Sequence, residues 1–196
     1  MGIRIENFKK SYGDKQVFDG LNIEFEANEV NCVMGRSGCG KTTLINAIMG
    51  IDKDYEGTIE GVPDHLGVVF QENRLCEDFS VLSNIRMVCD DSVTREDICR
   101  NLEEVELGDN PDTPVKDLSG GMKRRVALVR ALMSKGELLI FDEPFKGLDE
   151  DTREQVAKYV LANRKNRTVI MVTHDPEEVQ MLGGRVFTLS APEQAN

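Results

Sequence analysis

The stretch Gly35-Arg36-Ser37-Gly38-Cys39-Gly40-Lys41-Thr42-Thr43 has the spacing G-x-x-x-x-G-K-[ST]. Glycines at 35, 38 and 40 let the backbone bend until successive N–H groups, with those of Ser37, Cys39 and Thr43, converge on an anion. Lys41 would reach the β- and γ-phosphates of a nucleoside triphosphate, and the Thr42 hydroxyl would sit on Mg²⁺. Cys39 reads either as a modification-sensitive thiol or, more blandly, as a small space-filler. Farther on, Asp142 and Glu143 close an apolar run. A carboxylate at a strand end beside a phosphate loop is the expected partner of Mg²⁺, which assigns Asp142 to the metal. Strand alternation turns Glu143 to the opposite face, where it could take a proton from an attacking water. Gln71 and His174 close two other apolar runs. Ser119-Gly120-Gly121 opens a helix with exposed N–H groups, a second anion-ready start. Tyr12 offers an aromatic face to a purine, or is a half-buried aromatic at a strand end.

Positioning these groups takes strands that deliver them to one edge. Val30-Asn31-Cys32-Val33-Met34 reads as a buried parallel strand before the phosphate loop, and Leu44, Ile45, Ile48 and Met49 give a helix after it, stopped by Gly50. Leu66–Phe70, Leu138–Phe141 and Thr168–Val172 read as further buried strands, ending at Gln71, Asp142 and His174. Ligands of open α/β sheets bind beyond the carboxyl ends of strands, so these ends should share a crevice. Residues 2–26 alternate as a small antiparallel sheet turning at Tyr12-Gly13-Asp14, and 55–61 forms a short strand bounded by glycines. Residues 72–134 read as a helical insert in a single domain spanning 1–196: one amphipathic stretch from Ser80 to Val88, one opened by Thr94, and one starting at Ser119 with Met122, Val126, Val129 and Met133 along a stripe. Asp151 to Lys165 is an amphipathic surface helix, Arg185–Leu189 a last strand, and the polar tail beyond it frays.

The chain has 196 residues, 40% hydrophobic and 30% charged, the balance of an ordinary globular domain. A formal charge of −11 argues against general nucleic-acid binding. The N-terminus has no signal-peptide core and no apolar run reaches membrane-spanning length, so a cytoplasmic location is expected. Five cysteines without C-x-x-C spacing read as reduced thiols.

From Ile3 to about Leu189 the chain resembles the nucleotide-binding subunit of ATP-binding-cassette (ABC) transporters. The most specific piece is Leu118-Ser119-Gly120-Gly121-Met122-Lys123-Arg124-Arg125-Val126-Ala127, which looks like the family's LSGGQ signature, just upstream of the Walker B-like Leu139-Ile140-Phe141-Asp142-Glu143-Pro144. The resemblance implies an α/β P-loop cassette with a mainly parallel core sheet, an N-terminal antiparallel β subdomain and an α-helical insert. It implies ATP and Mg²⁺ as ligands and roles for individual residues. Tyr12 would stack on adenine; Gln71 would touch Mg²⁺ and sense the γ-phosphate; Leu148-Asp149 would form the D-loop; His174 would contact the γ-phosphate. Ser119 and Gly121 would bind ATP held by a second subunit's phosphate loop, which requires a head-to-tail dimer.

The same resemblance implies separate transmembrane permease subunits, a peripheral place on the inner face of the cell membrane and, for an importer, an extracytoplasmic solute-binding protein. The run Asp142 to Asp149 is loosely similar to the nitrate/sulfonate/taurine-type importers, and residues 70–75 with the helix at 81–88 to the surface that receives a permease's coupling helix. A separate cassette of a lipoprotein or peptide exporter is the alternative. Another is a soluble ABC ATPase acting on DNA or ribosomes, against which stand the acidity and the single cassette without long coiled coils. Met122 replaces the usual glutamine, and Lys146-Gly147 a commoner small pair. The short span from Lys41 to Gln71 and the short stretch after residue 189 lead to the expectation of a trimmed peripheral sheet and no ligand-sensing C-terminal domain.

Overall fold

The computed structural model describes residues 2–190; the polar tail expected to fray falls almost wholly outside them. A hairpin opens the chain, with β1 (Ile3–Tyr12) and β2 (Lys15–Phe25) antiparallel and Tyr12 opposite Lys15 across the turn. Next come β3 (Val30–Gly35), α1 (Lys41–Ile48), β4 (Glu56–Glu60) and β5 (Leu66–Val69). The short strand at 55–61 therefore does not stand alone: β4 joins the hairpin in the order β2-β1-β4.

Between β5 and β6 (Leu138–Asp142) the chain is helical: α2 (Val81–Arg86), α3 (Arg95–Glu103), a 3₁₀ turn (Val115–Asp117) and α4 (Gly120–Met133). Thr94 and Asp97 close a reciprocal capping box on α3, the local chemistry its sequence dictates. Then follow α5 (Glu150–Asn163), β7 (Thr168–Thr173), α6 (Pro176–Leu182) and β8 (Arg185–Leu189). The helix α6 escaped sequence reasoning, because seven residues carry barely two turns of periodicity.

β5-β6-β7-β3-β8 form one parallel sheet. Alternation sorts its side chains into two cores. Leu139, Phe141, Val169 and Met171 pack with α4 and α5 residues such as Val126, Val129, Val156 and Val160. Leu138, Ile140, Ile170 and Val172 pack with Leu44, Ile45 and Ile48 of α1 and with Phe8, Phe18 and Phe25 of the antiparallel sheet. Every residue of β6 is buried, as expected for a central strand covered on both faces. The sheet is therefore clamped between two apolar layers, and its carboxyl edge delivers polar groups to a common opening.

Candidate functional site

That edge opens into a cavity of about 1040 Å³. It is lined by Gly35, Ser37, Gly38, Gly40, Lys41, Thr42 and Thr43 from the β3–α1 connection. Gln71, Asp142, Glu143 and His174 line it from the ends of β5, β6 and β7, and Tyr12 from the hairpin tip. Strands distant in sequence thus bring the expected nucleotide-contacting and catalytic side chains to one place.

The loop owes its shape to glycine. Gly40, the N-cap of α1, has φ +100°, and a Cβ there would lie 2.6 Å from the Phe18 ring. Gly38 has φ +80°. The first N–H groups of α1 have no partner within the helix, and its first residues, Lys41, Thr42 and Thr43, line the cavity. Lys41 is buried, its ammonium donating to the carbonyls of Gly35 at 2.6 Å and Arg36 at 3.1 Å. Cys39 departs from its neighbours. Its side chain is fully buried with Leu44 and Val33 beneath the loop, and its N–H donates to the Arg36 carbonyl. The space-filling reading holds, and the thiol offers nothing to a ligand.

Thr42 Oγ1 donates to Asp142 Oδ2 at 3.4 Å, placing a hydroxyl and a carboxylate side by side on the cavity floor. Burial, with the neighbouring Glu143 charge, raises the Asp142 pKa. The Thr42 hydroxyl and the Arg124 and Lys41 charges offset part of that cost.

Glu143 corrects the expectation from alternation. Its φ is +49°, the left-handed region that a non-glycine residue enters only when held there. The twist ends strand geometry after Asp142, and both carboxylates line the same cavity instead of opposite faces. Glu143 Oε1 lies 3.1 Å from His174 Nδ1, and Oε2 lies 3.1 Å from the Lys146 ammonium. Burial acts to raise the Glu143 pKa, but Lys146 and His174 outweigh it and hold the carboxyl below its ordinary range.

A buried arginine holds this strained residue, and sequence reasoning passed over it. Arg124 of α4 is 2% exposed and donates to the carbonyls of Phe70 (2.6 Å), Gln71 (3.1 Å) and Glu143 (2.9 Å). Arg130, two turns on, donates to the carbonyls of Arg74 and Asn73. A basic residue three and four positions before the fully buried Ala127 and Leu128 was the signal available. His174 is braced similarly. Asp175 caps α6 and pairs with Arg153 of α5 at 3.1 Å, while Thr173 Oγ1 donates to the buried Glu178.

Besides Cys39, four expected ligand-binding residues lie outside the cavity: Ser119, Gly120, Gly121 and Asp149. Ser119 Oγ caps α4 by accepting from the Met122 N–H, and Asp149 caps α5 by accepting from Thr152. Ser119 and Gly120 are exposed at the start of α4.

Comparison with known proteins accords with this geometry. The family described as "ABC transporter" matches residues 18–146. The aliphatic sulfonates import ATP-binding protein SsuB 1 of Pseudomonas syringae pv. syringae is 35% identical over 193 residues, 97% of this chain and 81% of that protein. SsuB 3 of Rhodococcus jostii, with the same description, is 38% identical over 96% of this chain and 71% of its own length. Among solved structures, a bacterial Atm1-family ABC exporter with ATP bound aligns with a TM-score of 0.85 over 96% of this chain and 37% of that one. At 23% identity this shows the fold alone. No helix among the described residues is long and apolar enough to cross a membrane. The chain belongs to the ABC transporter family, as one of its ATP-binding, ATP-hydrolysing subunits.

Proposed function

We propose that this chain is the ATPase subunit of an importer, and that its cavity binds ATP with Mg²⁺. The observation that carries the catalytic reading is the convergence of the phosphate loop with Gln71, Asp142, Glu143 and His174 on one cavity. Lys41 and the α1 N–H groups neutralise the triphosphate. Thr42 and Asp142 would hold Mg²⁺, with Gln71 beside them. Their two hard oxygens suit a cation that also binds phosphate, and no group of three or more His, Cys, Asp or Glu among the described residues could hold a metal by itself. When bound, Mg²⁺ supplies positive charge to the phosphate oxygens.

Glu143 accepts a proton from the attacking water, and His174, 3.1 Å away, orients that carboxylate and meets the transferring phosphoryl group. The Ser119-Gly120-Gly121 start, exposed at Ser119 and Gly120, lies outside the cavity, so it serves ATP held by a second subunit, with Asp149 at the same interface. Two copies arranged head to tail then enclose two nucleotides. The cassette reads as one domain over 1–196, with 72–134 as its helical insert.

Import, and aliphatic sulfonates as the solute class, come from the relatives' described activity. The partners are separate permease subunits and an extracytoplasmic solute-binding protein, and the chain lies on the inner face of the membrane. The test is capture of tagged Glu143→Gln with ATP from detergent-solubilised native membranes. Recovery of a polytopic permease together with a solute-binding protein is expected. Recovery of ribosomal or DNA-processing proteins without a membrane subunit would overturn the transport reading.

A further inference from the structure

Tyr12 is the one phenylalanine-, tyrosine- or tryptophan-type ring lining the cavity among the described residues, half exposed at 51%, at the tip of the β1–β2 hairpin. An exposed tip is a poor place for a stacking platform unless something fixes the ring. Here two groups do. The Tyr12 hydroxyl donates to Asp52 Oδ2 at 3.0 Å. The Lys10 ammonium lies 4.7 Å from the ring centroid and donates to Asp52 Oδ1 at 3.0 Å. It also donates to the Asp54 carbonyl. Lys10 is 4% exposed, and a lysine is seldom buried so fully without a paired charge. The buried cation lies over one face of the ring, and half of the Tyr12 surface remains open.

Asp52 is itself held. The N–H groups of Ile51 and Asp52 both donate to the Asn46 carbonyl in the last turns of α1, at 2.9 and 3.1 Å. α1 begins at the phosphate loop. The hairpin tip is thus tied through Asp52 to the helix whose other end meets the phosphates.

We propose that Lys10 and Asp52 are positioning residues for the nucleobase: Asp52 holds the Tyr12 hydroxyl and Lys10 backs its ring, fixing the open face at a set distance from the phosphate loop. This rests on the reading of Tyr12 as the base platform. It makes the hydroxyl necessary, so tyrosine cannot be replaced by phenylalanine without loss. The contribution falls on the base and not on the phosphates, because no link of the anchor touches the loop's N–H groups.

The test titrates the whole chain with MgATP and, separately, with inorganic tripolyphosphate, which has no base. The variants are Tyr12→Ala, Tyr12→Phe and Asp52→Asn. Loss of one such hydrogen bond should weaken ATP roughly three- to tenfold in Tyr12→Phe and Asp52→Asn, leaving tripolyphosphate affinity unchanged. Tyr12→Ala should weaken ATP at least as much, again with no effect on tripolyphosphate. If Tyr12→Ala weakens ATP but Tyr12→Phe and Asp52→Asn do not, the platform stands and the anchor is overturned. Equal weakening of both ligands by Asp52→Asn would also overturn it, by showing a merely structural role. Unchanged ATP affinity in Tyr12→Ala would remove the platform itself and the anchor with it.

Discussion

Two helices of this chain begin at glycine, and they face different surroundings. α1 follows its N-cap Gly40, and the phosphate-loop residues, Lys41 among them, line a cavity shared with polar groups from three strand ends. α4 starts at Gly120, capped only by Ser119, outside that cavity. Neither has an acidic residue in its first turn, nor has the short α2, whereas α3, α5 and α6 each do: Glu96 and Asp97, Glu150 and Asp151, Glu177 and Glu178. Those three neutralise their own dipole ends. α1 and α4 do not. For α1 the rest of the cavity lining comes from the same chain; for α4, on the dimer proposed above, it would come from another. The body of α4 nonetheless enters the first site, because Arg124 grips the carbonyls of Gln71 and Glu143. On the proposed dimer one helix would serve two sites, its N-terminus a neighbour's and its second turn its own.

The comparison can be broken in graded steps. The largest effect expected is on turnover. Glu143→Gln should cut ATP hydrolysis by about 10²–10⁴-fold while keeping nucleotide affinity, as phosphate release and equilibrium binding would show. Undiminished release would remove Glu143 as the base. Gly121→Asp places a carboxylate at the α4 start without crowding the fold, since the nearest atom to a Cβ there is 3.4 Å away. It should abolish most turnover yet change the single-chain ATP Kd less than about twofold, because like charge repels only a partner's phosphate.

Lys41→Ala strikes the other start. Loss of one charge-assisted contact should raise the ATP Kd roughly 10- to 100-fold, measured calorimetrically. If Gly121→Asp weakened single-chain binding as much as Lys41→Ala does, the two starts would serve one nucleotide and the distinction would fail. The smallest effect belongs to a helix that fills its own end. Thr94→Ala on α3 should cost about 1 kcal/mol in denaturant unfolding and leave ATP affinity and turnover unchanged. Bonds from Thr94 lower the Asp97 pKa, so that stability is present above the ordinary carboxyl range and is lost as pH falls through the lowered value. The variant should show a smaller loss on acidification.

Much of this was legible because the motifs are local. The phosphate loop, the α3 capping box and the buried strands each follow from residues within a few positions of one another. The convergence of Gln71, Asp142 and His174 was legible too, since each closes an apolar run of a parallel sheet. Local rules failed where tertiary contacts override them. Alternation predicted Glu143 on the opposite face, but the hydrogen bonds from its N–H to Val172 and from Arg124 to its carbonyl hold it at positive φ. The Arg124 clamp joins residues 53 and 19 positions apart, and the Tyr12–Asp52 bond spans 40, distances at which no sequence period reports contact. α6 was missed because its stability comes from the Asp175 cap and the buried Leu182, not from an extended stripe.

The central claim, that the α4 start completes a site on a second copy, is tested most directly by the mass of Glu143→Gln in solution. Sedimentation with and without MgATP should show a monomer converting to a dimer, and the added Gly121→Asp substitution should keep it monomeric while ATP still binds. A chain that stays monomeric with ATP, or a dimer indifferent to Gly121→Asp, would contradict the account.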